Sequence, residues 1–305
     1  MNRLRAISSQ YRRESLGGAG FRVRRSSQPS LSQTLRDMSF GDVLPRRIEE
    51  WGIGNWISPK EAATAIKDGD GSGVRIAVLD SGIEIAHPDF RGRRLHDDLV
   101  MDDASFGEFA AGNGEDNYGH GTAVAGIIWE VAPEAEIASF RVLGPKLVGR
   151  TAQIWLAANE AIARGFDVVN CSFACAISGH LSLYKEWTDR ALLAGVHVVA
   201  ASHGDEPEWP AHFASVLGVD CAEPGSDEGE ISHSAGRMVE FSAAANCDVA
   251  WKHGGHRSMT GSSLAAALMT GIVARLLSVY PIRDPLLLKA LLRRVYATGD
   301  DCENE

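Results

Sequence analysis

The chain of 305 residues carries 40 acidic against 30 basic side chains, a formal charge of −10, with 45% hydrophobic and 23% charged residues. These proportions belong to folded globular proteins and exclude a wholly disordered, collagen-like or low-complexity chain. The acidic balance argues against a general nucleic-acid or anionic-membrane binder, because both need surplus positive charge to meet phosphates or lipid headgroups.

Residues 1–50 run against that total: ten arginines, no lysine and five acids give +5, which leaves −15 on residues 51–305. With polar runs such as Ser26-Ser27-Gln28-Pro29-Ser30 and little apolar periodicity, this stretch reads as a flexible extension. It is either a solvated tail or a propeptide-like arm docked on the acidic body. It has no apolar segment of the secretory-signal kind, and no stretch of the chain approaches the roughly 18 apolar residues of a membrane span.

From Trp51 onward short apolar runs alternate with helical stretches, so residues 51–305 are expected to form one domain. Trp51 and Trp56 most simply pack the entering segment down. Strands are expected at Val74–Leu79, Ile137–Leu143, Asp167–Ser172, Val196–Ala201 and Val216–Val219, each a β-branched or apolar run. Helical spacing or small-residue apolar sequence places helices at Gly121–Trp129, Thr151–Arg164, Leu181–Ala194, Ser263–Leu277 and Leu286–Val295. Strand and helix in alternation imply an α/β fold of three layers, a mostly parallel twisted sheet with helices on both faces. Ligands of such sheets sit at the carboxyl ends of the strands.

Three residues near those ends carry chemistry: Asp80 after the first strand, His120 at a helix start, and Ser263 opening the last long helix. A serine hydroxyl is a weak nucleophile at neutral pH. It needs an imidazole to take its proton and a buried carboxylate to hold the imidazole's tautomer. The backbone N–H of Ser263, at a helix N-terminus, is placed to stabilise an oxyanion. Singly, the three residues read equally well as a turn residue, a helix cap and an N-cap.

Together, in the chain order Asp, His, Ser, they resemble the subtilisin-like serine proteases. The likeness runs through Asp80-Ser81-Gly82-Ile83 with His87-Pro88-Asp89, then His120-Gly121-Thr122-Ala123-Val124-Ala125-Gly126, then Gly261-Ser262-Ser263-Leu264-Ala265-Ala266. Arg141-Val142-Leu143 and Val169-Asn170-Cys171-Ser172 resemble the strands that flank the family's cleft. The resemblance implies a serine endopeptidase acting on a protein or peptide, with Ser172, Phe173 and Ala174 pairing with an extended substrate. Phe173 is alternatively an ordinary core residue.

Three departures from the family pattern stand out. Gly204 falls where the family supplies an asparagine oxyanion donor, so His203, Gly204 or another group must serve, or turnover is slow, or the chain binds peptides without cutting them. The helix after the histidine motif lacks room for the loop that forms a calcium site in many relatives, and Asp89 alone cannot supply six to eight oxygens, so no metal and no cofactor is expected. Ser202 and His203 are expected in a wall of the specificity pocket and Glu208 at its floor, with Asp205 and Glu206 near the rim. That arrangement implies preference for Arg or Lys before the cut, the alternative being an acidic surface loop.

The dibasic pairs Arg24-Arg25 and Arg46-Arg47 suit self-trimming of the extension. Five cysteines, Cys171, Cys175, Cys221, Cys247 and Cys302, form no CxxC pair and suggest a reducing, cytoplasmic setting, with Cys171 and Cys175, four apart, read as buried thiols. The remaining histidines, 87, 96, 180, 197, 212, 233, 253 and 256, show no metal-ligand spacing and are expected as surface or satisfied core residues.

Overall fold

A computed structural model of the chain describes residues 57–101, 108–204, 206–223, 225–227 and 229–297. The arginine-rich extension with its dibasic pairs, Trp51, Trp56, Asp205 and Cys302 lie outside the described residues.

Among the described residues, nine strands form one sheet. In chain order they are β1 (Arg75–Asp80), β2 (Asp98–Val100), β3 (Ala110–Ala111), β4 (Glu136–Arg141), β5 (Val168–Cys171), β6 (His197–Ala201), β7 (Leu217–Cys221), β8 (Ile231–His233) and β9 (Phe241–Ala243). Their spatial order is β3-β2-β4-β1-β5-β6-β7-β9-β8, parallel from β2 to β9, with β3 and β8 antiparallel at the two edges. A separate antiparallel hairpin joins β10 (Asn246–Trp251) to β11 (Gly255–Thr260). Six α-helices accompany them: α1 (Pro59–Asp68), α2 (His120–Val131), α3 (Thr151–Ala163), α4 (Leu181–Ala194), α5 (Ser262–Val279) and α6 (Pro285–Val295).

The strands are apolar along their whole length because both faces of the sheet are covered. In β1, Ile76 and Val78 point into one core cluster with Val124 and Ile128 of α2 and Leu264 and Met269 of α5. Ala77 and Leu79 point the other way, against Ile154 and Ala158 of α3 and Tyr184 and Trp187 of α4. A one-residue slip would exchange the two sets, so the pattern fixes the register. Each valine, leucine, isoleucine or methionine among them, when fully buried, contributes about 1.5–3 kcal/mol.

The ten expected elements form with ends shifted by no more than two residues, Leu181–Ala194 with none. Asp80 is the last residue of β1 rather than the one beyond it. The expectation that nothing approaches a membrane span needs correcting for α5, whose 18 residues have mean hydropathy 1.6; 72% of that stretch is buried, so its apolar character belongs to the core. Helix α1, the short strands β2, β3, β8 and β9 and the β10–β11 hairpin escaped the periodicity. The signal for α1 lay in its cap: Ser58 Oγ accepts Glu61 N–H at 3.2 Å, Glu61 accepts Ser58 N–H at 2.8 Å, and Pro59 opens the helix.

Candidate active site

Three parallel strands end together. Asp80 closes β1, Ser172 follows β5, and Ser202 to Gly204 follow β6. Asp80 is 1% exposed, and the N–H of Ser81 donates to its Oδ1 at 2.7 Å. The His120 Nδ1 lies 2.9 Å from both Asp80 carboxylate oxygens. Because a carboxylate only accepts, Nδ1 carries the proton, and Nε2 is left as the basic nitrogen.

The approach of α2 to β1 depends on Gly121. A Cβ at that position would lie 2.1 Å from the Gly82 carbonyl oxygen, so no larger residue lets His120 come this close to Asp80. The helix start is held by Asp116, which the sequence reading missed. Its Oδ1 accepts the N–H groups of Tyr118 and Gly119 at 2.8 and 2.7 Å and the Ser81 hydroxyl at 2.7 Å; its Oδ2 accepts the Thr122 N–H and hydroxyl at 2.8 and 2.7 Å. An acid a few residues before a helix N-terminus satisfies orphan donors and meets the positive end of the dipole, and that was the available signal. Burial presses the His120 imidazole toward its neutral form, but the charge and hydrogen bond of Asp80, with the charge of Asp116, outweigh it. Its pKa is therefore raised above the ordinary 6.5.

Ser263 is the second residue of α5, where backbone N–H groups lack intrahelical acceptors. Its hydroxyl donates to the Ser172 carbonyl at 3.3 Å, while the Ser172 hydroxyl donates to the Ser263 carbonyl at the same distance. Behind them, Asn170 Nδ2 donates to Ser172 Oγ at 3.0 Å and the Thr270 hydroxyl donates to Asn170 Oδ1 at 2.9 Å. This buried chain ties β5 to the helix that carries Ser263. Asn170 and Thr270 are positioning residues; the sequence offered Asn170 only as part of a strand.

The remaining expected residues divide. Phe173, open between cleft and core, has its side chain in the core cluster with Trp209 and Phe213, 9% exposed. Ala174 is half-buried, and Cys175 pairs with Trp209 through reciprocal backbone bonds of 2.9 and 3.0 Å. Ser202 is a correction: its hydroxyl is wholly buried, 3.3 Å from the Gly204 carbonyl and 3.4 Å from His212 Nε2, so it shapes the loop instead of facing a ligand. Glu208 is 8% exposed; its carboxylate accepts the His203 N–H and lies 3.4 Å from His203 Nδ1. The exposed His203 ring is thus turned toward Glu208. Gly204 has φ of 131°, and a Cβ there would meet nothing within 4 Å. Where the family pattern puts calcium, α2 runs unbroken and Asp89 faces His256 at 2.8 Å; nitrogen donors do not suit calcium.

The family model described as "Subtilase family" matches residues 71–301. A subtilisin-like protease of Arabidopsis thaliana, SBT6.1, is 30% identical over 260 residues, covering 75% of this chain and 24% of that protein. Subtilisin E of Bacillus subtilis is 28% identical over 228 residues, 69% of this chain and 57% of the relative. The chain thus spans less than two thirds of the length of these relatives. The crystal structure of a cold adapted subtilisin-like serine proteinase aligns with TM-score 0.59 and 25% identity over 74% of this chain and 82% of the other.

Proposed function

The chain belongs to the subtilase family, and from that premise we propose that it is a serine endopeptidase using Asp80, His120 and Ser263. The observation that carries this is the buried Asp80–His120 pair at 2.9 Å at the end of β1, with a serine at a helix start hydrogen-bonded to Ser172 at the end of the neighbouring strand β5. For attack, Ser263 Oγ exchanges the Ser172 carbonyl for His120 Nε2, which takes its proton as the oxygen bonds to the substrate carbonyl carbon. The oxyanion that forms meets the Ser263 N–H at the positive end of α5. His120 then protonates the leaving amine, and water activated by the same imidazole releases the acyl group.

The substrate is a protein or peptide, held as an extended strand along Ser172–Ala174. We further propose selective processing, such as removal of a leader or a single activating cut, with arginine or lysine before the scissile bond. In support, Glu208 is a buried carboxylate whose side-chain partner is the exposed His203 ring, which an arginine could displace with two charge-assisted hydrogen bonds. The free thiols of Cys171, Cys175 and Cys221 accord with a reducing, cytoplasmic compartment. The extension is proposed as a cationic arm for the acidic body.

Gly204 favours a second reading, a peptide-binding chain that turns over poorly, since losing one oxyanion donor typically costs about 10²–10³ in rate. Incubating the full chain with a peptide library and sequencing the products decides between them. Products absent from Ser263→Ala and enriched in arginine or lysine before the cut support the protease; intact peptides retained by the chain support the binder.

A further inference from the structure

We propose that His87, Asp89 and His256 form a binding site for a transition-metal cation of the zinc class, which staples the β10–β11 hairpin to the turn after β1. The three residues come from opposite ends of the domain. Their ligating atoms all lie within 4.8 Å of one another: Asp89 Oδ2 is 2.8 Å from His256 Nε2 and 3.8 Å from His87 Nδ1. Those spacings bracket the roughly 3.3 Å between ligands of a tetrahedron with bonds of about 2.0–2.1 Å.

The tautomer of His87 is settled by its neighbours. Nε2 faces the Gly255 carbonyl at 2.8 Å, an acceptor only, so it carries the proton; Nδ1 accepts the Asp89 N–H at 3.2 Å, so its lone pair is free of one. A ring fixed through one nitrogen by a carbonyl, with the other nitrogen bare, is the usual arrangement of a metal-ligating histidine. The metal would replace the long Asp89 N–H contact at Nδ1. The ring is buried between Phe90 and His256, at centroid distances of 5.4 Å from each.

Two imidazoles and one carboxylate are the donor set of zinc and its neighbours, whereas calcium and magnesium take oxygen. The side chains of Asp89 and His256 are each 46% exposed, which leaves an entry path and a fourth position for water. Beside them lies a cavity of about 230 Å³ lined by Asp89, Glu130 and Asp248, acids that attract a cation; its Arg93 is engaged by the Pro133 carbonyl and the Trp129 ring. Binding at His256 Nε2 moves the proton it shares with Asp89 to Nδ1, the other tautomer of a neutral imidazole. The consequence reaches the proposed nucleophile: β11 begins beside His256 and ends at Thr260, three residues before Ser263.

The test is calorimetry and thermal melting of the full chain, stripped of metal, with zinc and separately with calcium. One zinc per chain, a raised melting temperature, and no comparable rise with calcium are expected. His256→Gln and Asp89→Asn, both at exposed positions, should each weaken zinc binding by more than the roughly 10-fold lower bound for losing even an outer-shell partner. His253→Gln, in the same hairpin's loop, should leave it unchanged. Absent or non-stoichiometric binding, equal affinity in His256→Gln, or an equal effect of calcium would overturn the proposal.

Discussion

The Thr270 hydroxyl, inside α5, donates to the side-chain carbonyl of Asn170 in β5 at 2.9 Å, and both residues are wholly buried. Through Ser172 the same chain of bonds reaches Ser263, the proposed nucleophile, so the rotation of its helix is set by polar contacts as well as by packing.

Asn170→Ala leaves the Thr270 hydroxyl without its acceptor and Ser172 without a donor. Urea denaturation should show a loss of about 1–3 kcal/mol, the cost of stranding a buried polar group. Thr270→Val, which keeps the shape, should cost no more, and each variant should lower kcat more than it changes KM.

Gly121→Ala should be worse than its size suggests. The added methyl must move the Gly82 carbonyl or the start of α2, overpacking that typically costs about 1–3 kcal/mol, and the displaced imidazole loses Asp80. A melting curve and a rate measurement should show a modest loss of stability beside near-complete loss of turnover.

As the proposed base, His120 would work only when neutral. Because Asp80 and Asp116 hold its pKa above 6.5 against the opposing effect of burial, kcat/KM should rise with pH through a midpoint above 6.5. Asp116→Asn removes one of the raising charges and should move that midpoint down. The same shift favours the folded state at low pH: its contribution is full below 6.5 and fades as pH rises through the folded pKa.

Adding the missing side chain at position 204 should not help. Space is available, but φ of 131° is a conformation that residues with a Cβ rarely adopt, at a cost of about 1–3 kcal/mol. Gly204→Asn should melt lower than wild type and gain no kcat.

Glu208→Gln keeps the shape of the side chain and removes its charge. The ratio of turnover for arginine over phenylalanine before the cut should fall by about tenfold or more, the worth of a charge-assisted hydrogen bond. An unchanged ratio would assign Glu208 to loop structure through its bond to the His203 N–H.

The fold and the Asp80–His120 pairing were legible in the sequence because strands buried on both faces are apolar throughout, and because Asp80 and His120, like Ser263, sit in small-residue surroundings that close packing demands. Asp116 was legible only as an acid shortly before a helix start; that it also meets the Ser81 and Thr122 hydroxyls is not written in local pattern. His87 and His256 are separated by 168 residues, and only the return of the β10–β11 hairpin, reversing at His253 and Gly254 with φ of 64° and 67°, brings them together. Ser202 lies beside a strand end as a pocket residue would, yet its direction is set by His212 and the Gly204 carbonyl, which local pattern does not reveal.

The central claim is that Asp80, His120 and Ser263 act as one nucleophilic unit, and covalent labelling tests it most directly. A fluorophosphonate probe followed by mass spectrometry should place one adduct on Ser263 in the wild type, none in Ser263→Ala, and little in His120→Ala. An unlabelled wild type across the pH range, or labelling of Ser263 that survives His120→Ala undiminished, would contradict it.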